Sequence, residues 1–184
     1  MQKLPYLKTR DIAAIAIGAA LWGVLNAIFS PVVFSLTGLP ILCDLIGFTV
    51  LTFAAWWIRK LGAVTAIGLI ATIINFILNP GGIFFLGFTA ASIVFDLTSK
   101  FAGYDRCFKK PAYAMTTAVA ISTLSAAVAG FIIGSFFMPI PAMAAWGGVA
   151  GWAGLHAAGG VIGGTLGGLI VNMLIARKVF QREK

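Results

Sequence analysis

The chain has 184 residues, of which 60% are hydrophobic and 10% charged, and its mean hydropathy is +1.02. A soluble domain must present a charged surface to water, so this composition excludes one and makes lipid the natural solvent. The formal net charge of +8 would suit nucleic acid in a soluble protein, but the basic residues lie between apolar runs and exclude that partner.

A spanning helix needs roughly 20 apolar residues. Six runs near that length are expected as helices, at residues 11–29, 39–58, 61–78, 83–101, 112–137 and 149–176. The predicted fold is all-α, one integral membrane bundle of six transmembrane helices over residues 1–184, with no second domain.

Lys3, Lys8 and Arg10 precede the first run. A basic start followed by apolar residues resembles a signal peptide, but the run is long and lacks a convincing cleavage site, so a retained helix is expected. Ala16, Ala20 and Ala27, with Gly23 between, form a strip of small side chains at helical spacing. Asn26 falls near the end of this run, which is expected to break at Ser30-Pro31 and Thr37-Gly38. The second run carries Cys43 and, about five residues inside its start, Asp44. It ends at Trp56 and Trp57, read as an aromatic belt beside Arg59-Lys60. The third run holds Asn75 and closes at Asn79-Pro80-Gly81-Gly82.

The fourth run bears Asp96 one turn before Lys100, a spacing that suits a local ion pair. A basic segment with Arg106, Lys109 and Lys110 separates it from the fifth, which ends at Met138-Pro139-Ile140-Pro141. The segments after the first and fifth runs are uncharged and apolar, with Val32, Val33 and Phe34 in one and Met138, Ile140 and Met143 in the other. They suit either lids over the bundle mouth or residence in the interface. Trp146 stands just before the sixth run, and Trp152 and His156 share one face of it. Two glycine ladders follow, Gly159, Gly163, Gly167 and Gly160, Gly164, Gly168. Four-residue spacing lets backbones approach closely, either inside the bundle or against a partner. Asn172 is read as a packing hydrogen bond, and Arg177, Lys178, Arg182 and Lys184 follow the run.

Six crossings would put all 13 basic residues on one side, which the positive-inside rule makes the cytoplasm, with both chain ends there. A basic face for anionic ligands is an alternative reading of the 100–110 segment. Cys43 and Cys107 would then lie at opposite membrane faces, too far apart for a disulfide. With no CxxC pair or Cys/His cluster, no structural zinc is expected.

Polar groups inside a membrane are costly unless paired, so they are the functional candidates. Asn26, Asp44, Asn75, Asn79, Trp146, Trp152 and His156 are all expected in the outer third, from four helices. Amides can read a heteroaromatic edge, indoles can stack on its faces and a carboxylate can accept from an exocyclic amine. No chain of acidic residues crosses the membrane, there is no Walker motif, and Gly134-Ser135-Phe136 does not supply an intramembrane serine-protease setting. An ion-driven pump, nucleotide hydrolysis and an enzyme are therefore not expected, and no cofactor is implied.

The basic start leading into Ala16-x-x-x-Ala20, the stretch Trp57-Ile-Arg-Lys-Leu-Gly-Ala63 after a helix bearing Asp44, and the glycine-rich last helix carry a resemblance. The chain resembles the substrate-binding S components of energy-coupling factor (ECF) transporters. From Asp44 to Ala63 and the following helix it is most similar to the branch for thiamine or its hydroxymethylpyrimidine precursor. That resemblance implies a plasma-membrane subunit that captures a vitamin from outside. It also implies docking, through the Ala16 and Ala20 face, on a transmembrane coupling subunit driven by two cytoplasmic ATPases. The thiamine-binding relatives place an intramembrane glutamate in the site; here Asp44 would substitute, and another vitamin stays open. The competing classes are a self-sufficient small carrier or channel and a membrane assembly factor without a pocket.

Overall fold

Lipid offers no hydrogen bonds, so each crossing segment must satisfy its own backbone, and an α-helix does this within one segment. The computed structural model describes residues 6–179, which leaves Lys3, Arg182 and Lys184 outside the described residues. The described residues form helices α1 (Thr9–Thr37), α2 (Ile41–Ile58), α3 (Ala63–Leu78), α4 (Leu86–Ala102), α5 (Tyr104–Cys107), α6 (Pro111–Phe136), α7 (Ile140–Ala144) and α8 (Gly148–Ala176). A single 3-10 turn, Ile83–Phe85, leads into α4, and no strand occurs among the described residues.

Five segments, α1, α2, α4 with its leading turn, α6 and α8, are long and apolar enough to cross a membrane. The chain is thus an all-helical, multi-pass membrane protein. The sixth apolar helix, α3, has 16 residues, or roughly 24 Å, against a hydrocarbon core of roughly 30 Å.

The six longer helices pack as a closed ring in the order α1, α2, α8, α6, α4, α3 and back to α1. Glycine sets the closest approaches. The first ladder of α8 faces α2: a Cβ on Gly163 would lie 2.7 Å from the Asp44 carbonyl oxygen, and one on Gly167 2.8 Å from Thr52 Cβ. The second faces α6, where a Cβ on Gly160 would lie 2.6 Å from Ala126 Cβ. Both ladders are therefore spent inside the bundle, each on a different neighbour, where dispersion at short range replaces the hydrophobic effect that lipid withholds. Across the ring, Trp22 of α1 is buried over Gly47 of α2, with Phe88 edge-on at 6.1 Å.

Three expectations are corrected. Ser30-Pro31 does not end the first helix, because α1 runs through Pro31 to Thr37. Proline removes one backbone donor, a loss the rest of the helix tolerates in the membrane. The end comes at Gly38, whose left-handed backbone (φ 69°) lets its N–H donate to the Phe34 carbonyl at 2.8 Å. Val32, Val33 and Phe34 are thus helical and not a loop.

Secondly, Asp96 forms no ion pair with Lys100 among the described residues. Its buried carboxylate accepts from the N–H groups of Gly62 (2.8 Å) and Thr65 (3.0 Å), the Thr65 hydroxyl (2.9 Å) and the Tyr104 hydroxyl (2.6 Å). It caps the N-terminus of α3 from another helix, satisfying free donors at the positive end of the helix dipole. Thirdly, Trp56 is no belt residue: it is 3% exposed and packs against Phe53 and Trp57. Arg10 stands over the Trp57 ring at 5.6 Å.

The basic end is tied together by polar contacts. Lys60 pairs with Asp11 (2.6 Å) and Arg59 with Asp105 (2.9 Å). Asn172 donates to the Pro111 carbonyl at 3.1 Å, the packing bond expected of it.

Candidate functional site

The opposite end of the ring carries the turns at residues 38–40, 79–82 and 137–147, which contain no Lys or Arg. There the helix ends surround a cavity of about 250 Å³. Asn26, Ser30 and Phe34 line it from α1, Cys43 from α2, Asn79 from the end of α3, Phe84 and Phe88 from α4 and its leading turn, Ile133 and Met138 from α6 and its end, and Trp152 and His156 from α8.

Of the residues singled out in the sequence, Asn26, Asn79, Trp152 and His156 reach the cavity directly. Asp44 and Asn75 stand behind it. Asp44 is fully buried, and each of its carboxylate oxygens lies 3.0 Å from Nδ1 of His156. Gly159 makes this possible, since a Cβ there would sit 2.5 Å from Asp44 Oδ2. Asp44 therefore positions the imidazole without lining the cavity. On the other side, the Asn26 amide nitrogen donates to Asn75 Oδ1 at 3.2 Å, and the Ser30 hydroxyl donates to Asn26 Oδ1 at 2.9 Å. This Ser30-Asn26-Asn75 chain fixes the amide that faces the cavity. Trp146 is not brought in: it is 38% exposed, in the turn before α8, and does not line the cavity.

Sequence reasoning missed the apolar walls. Phe84, Phe88 and Ile133 look like any lipid-facing residue when every face of a helix is apolar, whereas Met138 is legible as part of an apolar segment suited to the bundle mouth. Ser30 carried a usable signal, one turn after Asn26 on the same face. Phe34 contributes because α1 continues through Pro31, and its ring meets Trp152 edge-on at 6.1 Å. Met138 lines the cavity and Met143 of α7 is buried against Gly134 of α6, whereas Ile140 is exposed.

The Trp152 indole nitrogen and His156 Nε2 are buried and have no hydrogen-bond partner among the described residues. Cys43 and Cys107 are free. No cluster of three or more metal-ligating side chains occurs among the described residues. Ala16 and Ala20 lie on the exposed outer face of α1, away from the cavity, whereas Gly23 turns inward against Ile74 of α3. The chain matches no protein-family model, no curated protein and no solved structure.

Proposed function

We propose that this chain is the membrane-embedded substrate-capture subunit of an ECF-type vitamin importer, for thiamine or its hydroxymethylpyrimidine precursor. In this reading α3 and its flanking turns complete a sixth crossing of the plasma membrane. The basic end, with both chain ends, faces the cytoplasm, and the cavity opens outward.

The observation that carries the reading is the cavity itself. It lies at the uncharged end, it is walled by aromatic and aliphatic side chains, and polar groups from α1, α3 and α8 enter it. Small-molecule sites have this composition. A pocket of this kind in a bundle without an ion relay binds ligand but has no work source of its own, so uptake requires a coupling subunit and ATPases. Ala16 and Ala20, exposed and small, suit the docking of a coupling helix. Catalysis is not part of the proposal.

A self-sufficient carrier that oligomerises through the glycine ladders is disfavoured by one finding: both ladders are occupied by α2 and α6. The test is a tryptophan-fluorescence titration of the purified protein in detergent with a vitamin panel that includes thiamine and hydroxymethylpyrimidine. Trp152, in the cavity wall, should report saturable binding at submicromolar ligand, and His156→Ala should abolish it. Silence across a panel that a known binder passes would remove the capture reading in favour of an assembly factor.

A further inference from the structure

The lipid-facing side of α2 is recessed. This helix has 18 residues and stands in the ring between α1 and α8, which have 29 each. None of its residues is exposed, although it is apolar enough to cross the membrane. A second cavity, of about 370 Å³, lies over it as a groove. Thr49, Phe53 and Trp57 of α2 form the floor at helical spacing, with Ile17 and Leu21 of α1 and Ile170 of α8 as walls. The one hydroxyl among the lining residues, on Thr49, donates to the Gly163 carbonyl at 3.2 Å, so the groove is apolar along its length.

Its end at the basic side of the ring is different. Arg10 shares one stripe of α1 with Ile17 and Leu21, and its guanidinium lies over the Trp57 ring at 5.6 Å. Arg177 closes α8 and follows Ile170 by two helical turns on the same face. Both arginines are exposed, one on each wall. No lining residue is acidic, and the carboxylate next to Arg10, that of Asp11, is buried and held by Lys60 at 2.6 Å. From Arg10 to Leu21 the helix rises roughly 16 Å, against roughly 15 Å for half of the hydrocarbon core. The groove thus has the length of one leaflet and opens to the headgroups of that leaflet between two guanidinium groups.

We infer that this groove is a binding site for an anionic phospholipid, with one acyl chain lying along α2 and the phosphate held between Arg10 and Arg177. The chain supplies the fit and the headgroup supplies the selectivity. Bulk lipid tails are as apolar as the groove, so an acyl chain entering it gains only short-range dispersion. Two guanidinium groups at the membrane surface do discriminate, since they pair with phosphate oxygens and favour an anionic over a neutral headgroup by about 10- to 30-fold. A partner's spanning helix would cross both leaflets, and a groove one leaflet long does not match it. The site is independent of what the cavity at the other end of the ring binds.

The experiment reconstitutes the intact protein in vesicles of phosphatidylcholine and phosphatidylglycerol, with brominated acyl chains on one lipid or on the other. Bromine quenches tryptophan on contact, and the part of the quenching that Trp57→Phe removes reports the groove. Phosphatidylglycerol should be preferred there by at least about tenfold. Arg10→Gln with Arg177→Gln should bring the preference to within about twofold of none, whereas Lys109→Gln with Lys110→Gln, exposed at the same end but before α6, should leave it unchanged. Equal quenching by the two lipids in the unaltered chain overturns the inference, and so does a preference that survives the arginine pair or falls equally with the lysine pair, which would make it a property of the whole basic surface. Absence of Trp57-dependent quenching by either lipid also overturns it, since protein, such as a second copy of the chain, then fills the groove. Should Trp57→Phe fail to fold, native mass spectrometry of the unaltered chain and the arginine pair, counting retained phosphatidylglycerol against phosphatidylcholine, decides by the same outcomes.

Discussion

At the scale of single residues, the site depends on an atom that is missing. Gly159 lacks the Cβ that would displace the Asp44 carboxylate from His156, and Gly154, on the same helix, has no atom within 4 Å of a Cβ added to it. Gly159→Ala should therefore cost about 1–3 kcal/mol through overpacking and lower ligand affinity at least about tenfold by turning the imidazole. Gly154→Ala should leave both nearly unchanged. Thermal unfolding together with titration measures the pair. Wild-type affinity in Gly159→Ala would remove Asp44 from its positioning role.

At the scale of elements, α3 shows how a short helix is held by its neighbours. Its first turn has no side-chain cap of its own and borrows the carboxylate of Asp96 from α4. Asp96→Ala leaves the N–H groups of Gly62 and Thr65 without their acceptor and the Tyr104 hydroxyl with only the 3.4 Å contact to the residue 96 carbonyl oxygen, and should destabilise the protein by about 2–3 kcal/mol in denaturant unfolding.

Tyr104, in α5 outside the spanning helices, has its phenol pushed above the ordinary tyrosine range. Burial is the main cause, followed by the hydrogen bond it donates to Asp96 and the charge of that carboxylate. A phenol whose folded pKa exceeds its unfolded value stabilises fully below the unfolded pKa of about 10, and that contribution is lost as pH rises beyond it. Stability should thus fall above about pH 10 in the wild type and fall less steeply in Tyr104→Phe, as measured by melting temperature against pH. Parallel curves would mean that Tyr104 ionises freely in the folded protein.

At the scale of the molecule, the ring separates two surfaces. The cavity lies at one end, and the small-residue face of α1 lies on the outside. If the outer face docks a coupling subunit, Ala16→Trp or Ala20→Trp should leave ligand affinity within about twofold while abolishing uptake in cells that supply the coupling module. This separation is expected because distant sites without shared partners are close to additive. Loss of affinity equal to the loss of uptake would mean that these positions act on the cavity.

What could be read from the sequence divides along physical lines. Membrane embedding, the all-helical class, the approximate bounds of the long helices and the charge asymmetry between the two ends are properties of contiguous segments, legible because partition into lipid and helix formation are decided run by run. The glycine ladders also announced close approach, since a four-residue period lies on one face. Tertiary structure alone decided the rest: the closed ring order, the passage of α1 through Pro31 that brings Phe34 to Trp152, the retreat of Asp44 behind His156, and the capture of Asp96 by α3. Each depends on which helix stands beside which. In a chain whose helices are apolar on every face, hydropathy carries no signal for neighbour choice. That choice comes from steric fit at glycines and from the few buried polar atoms that must find partners.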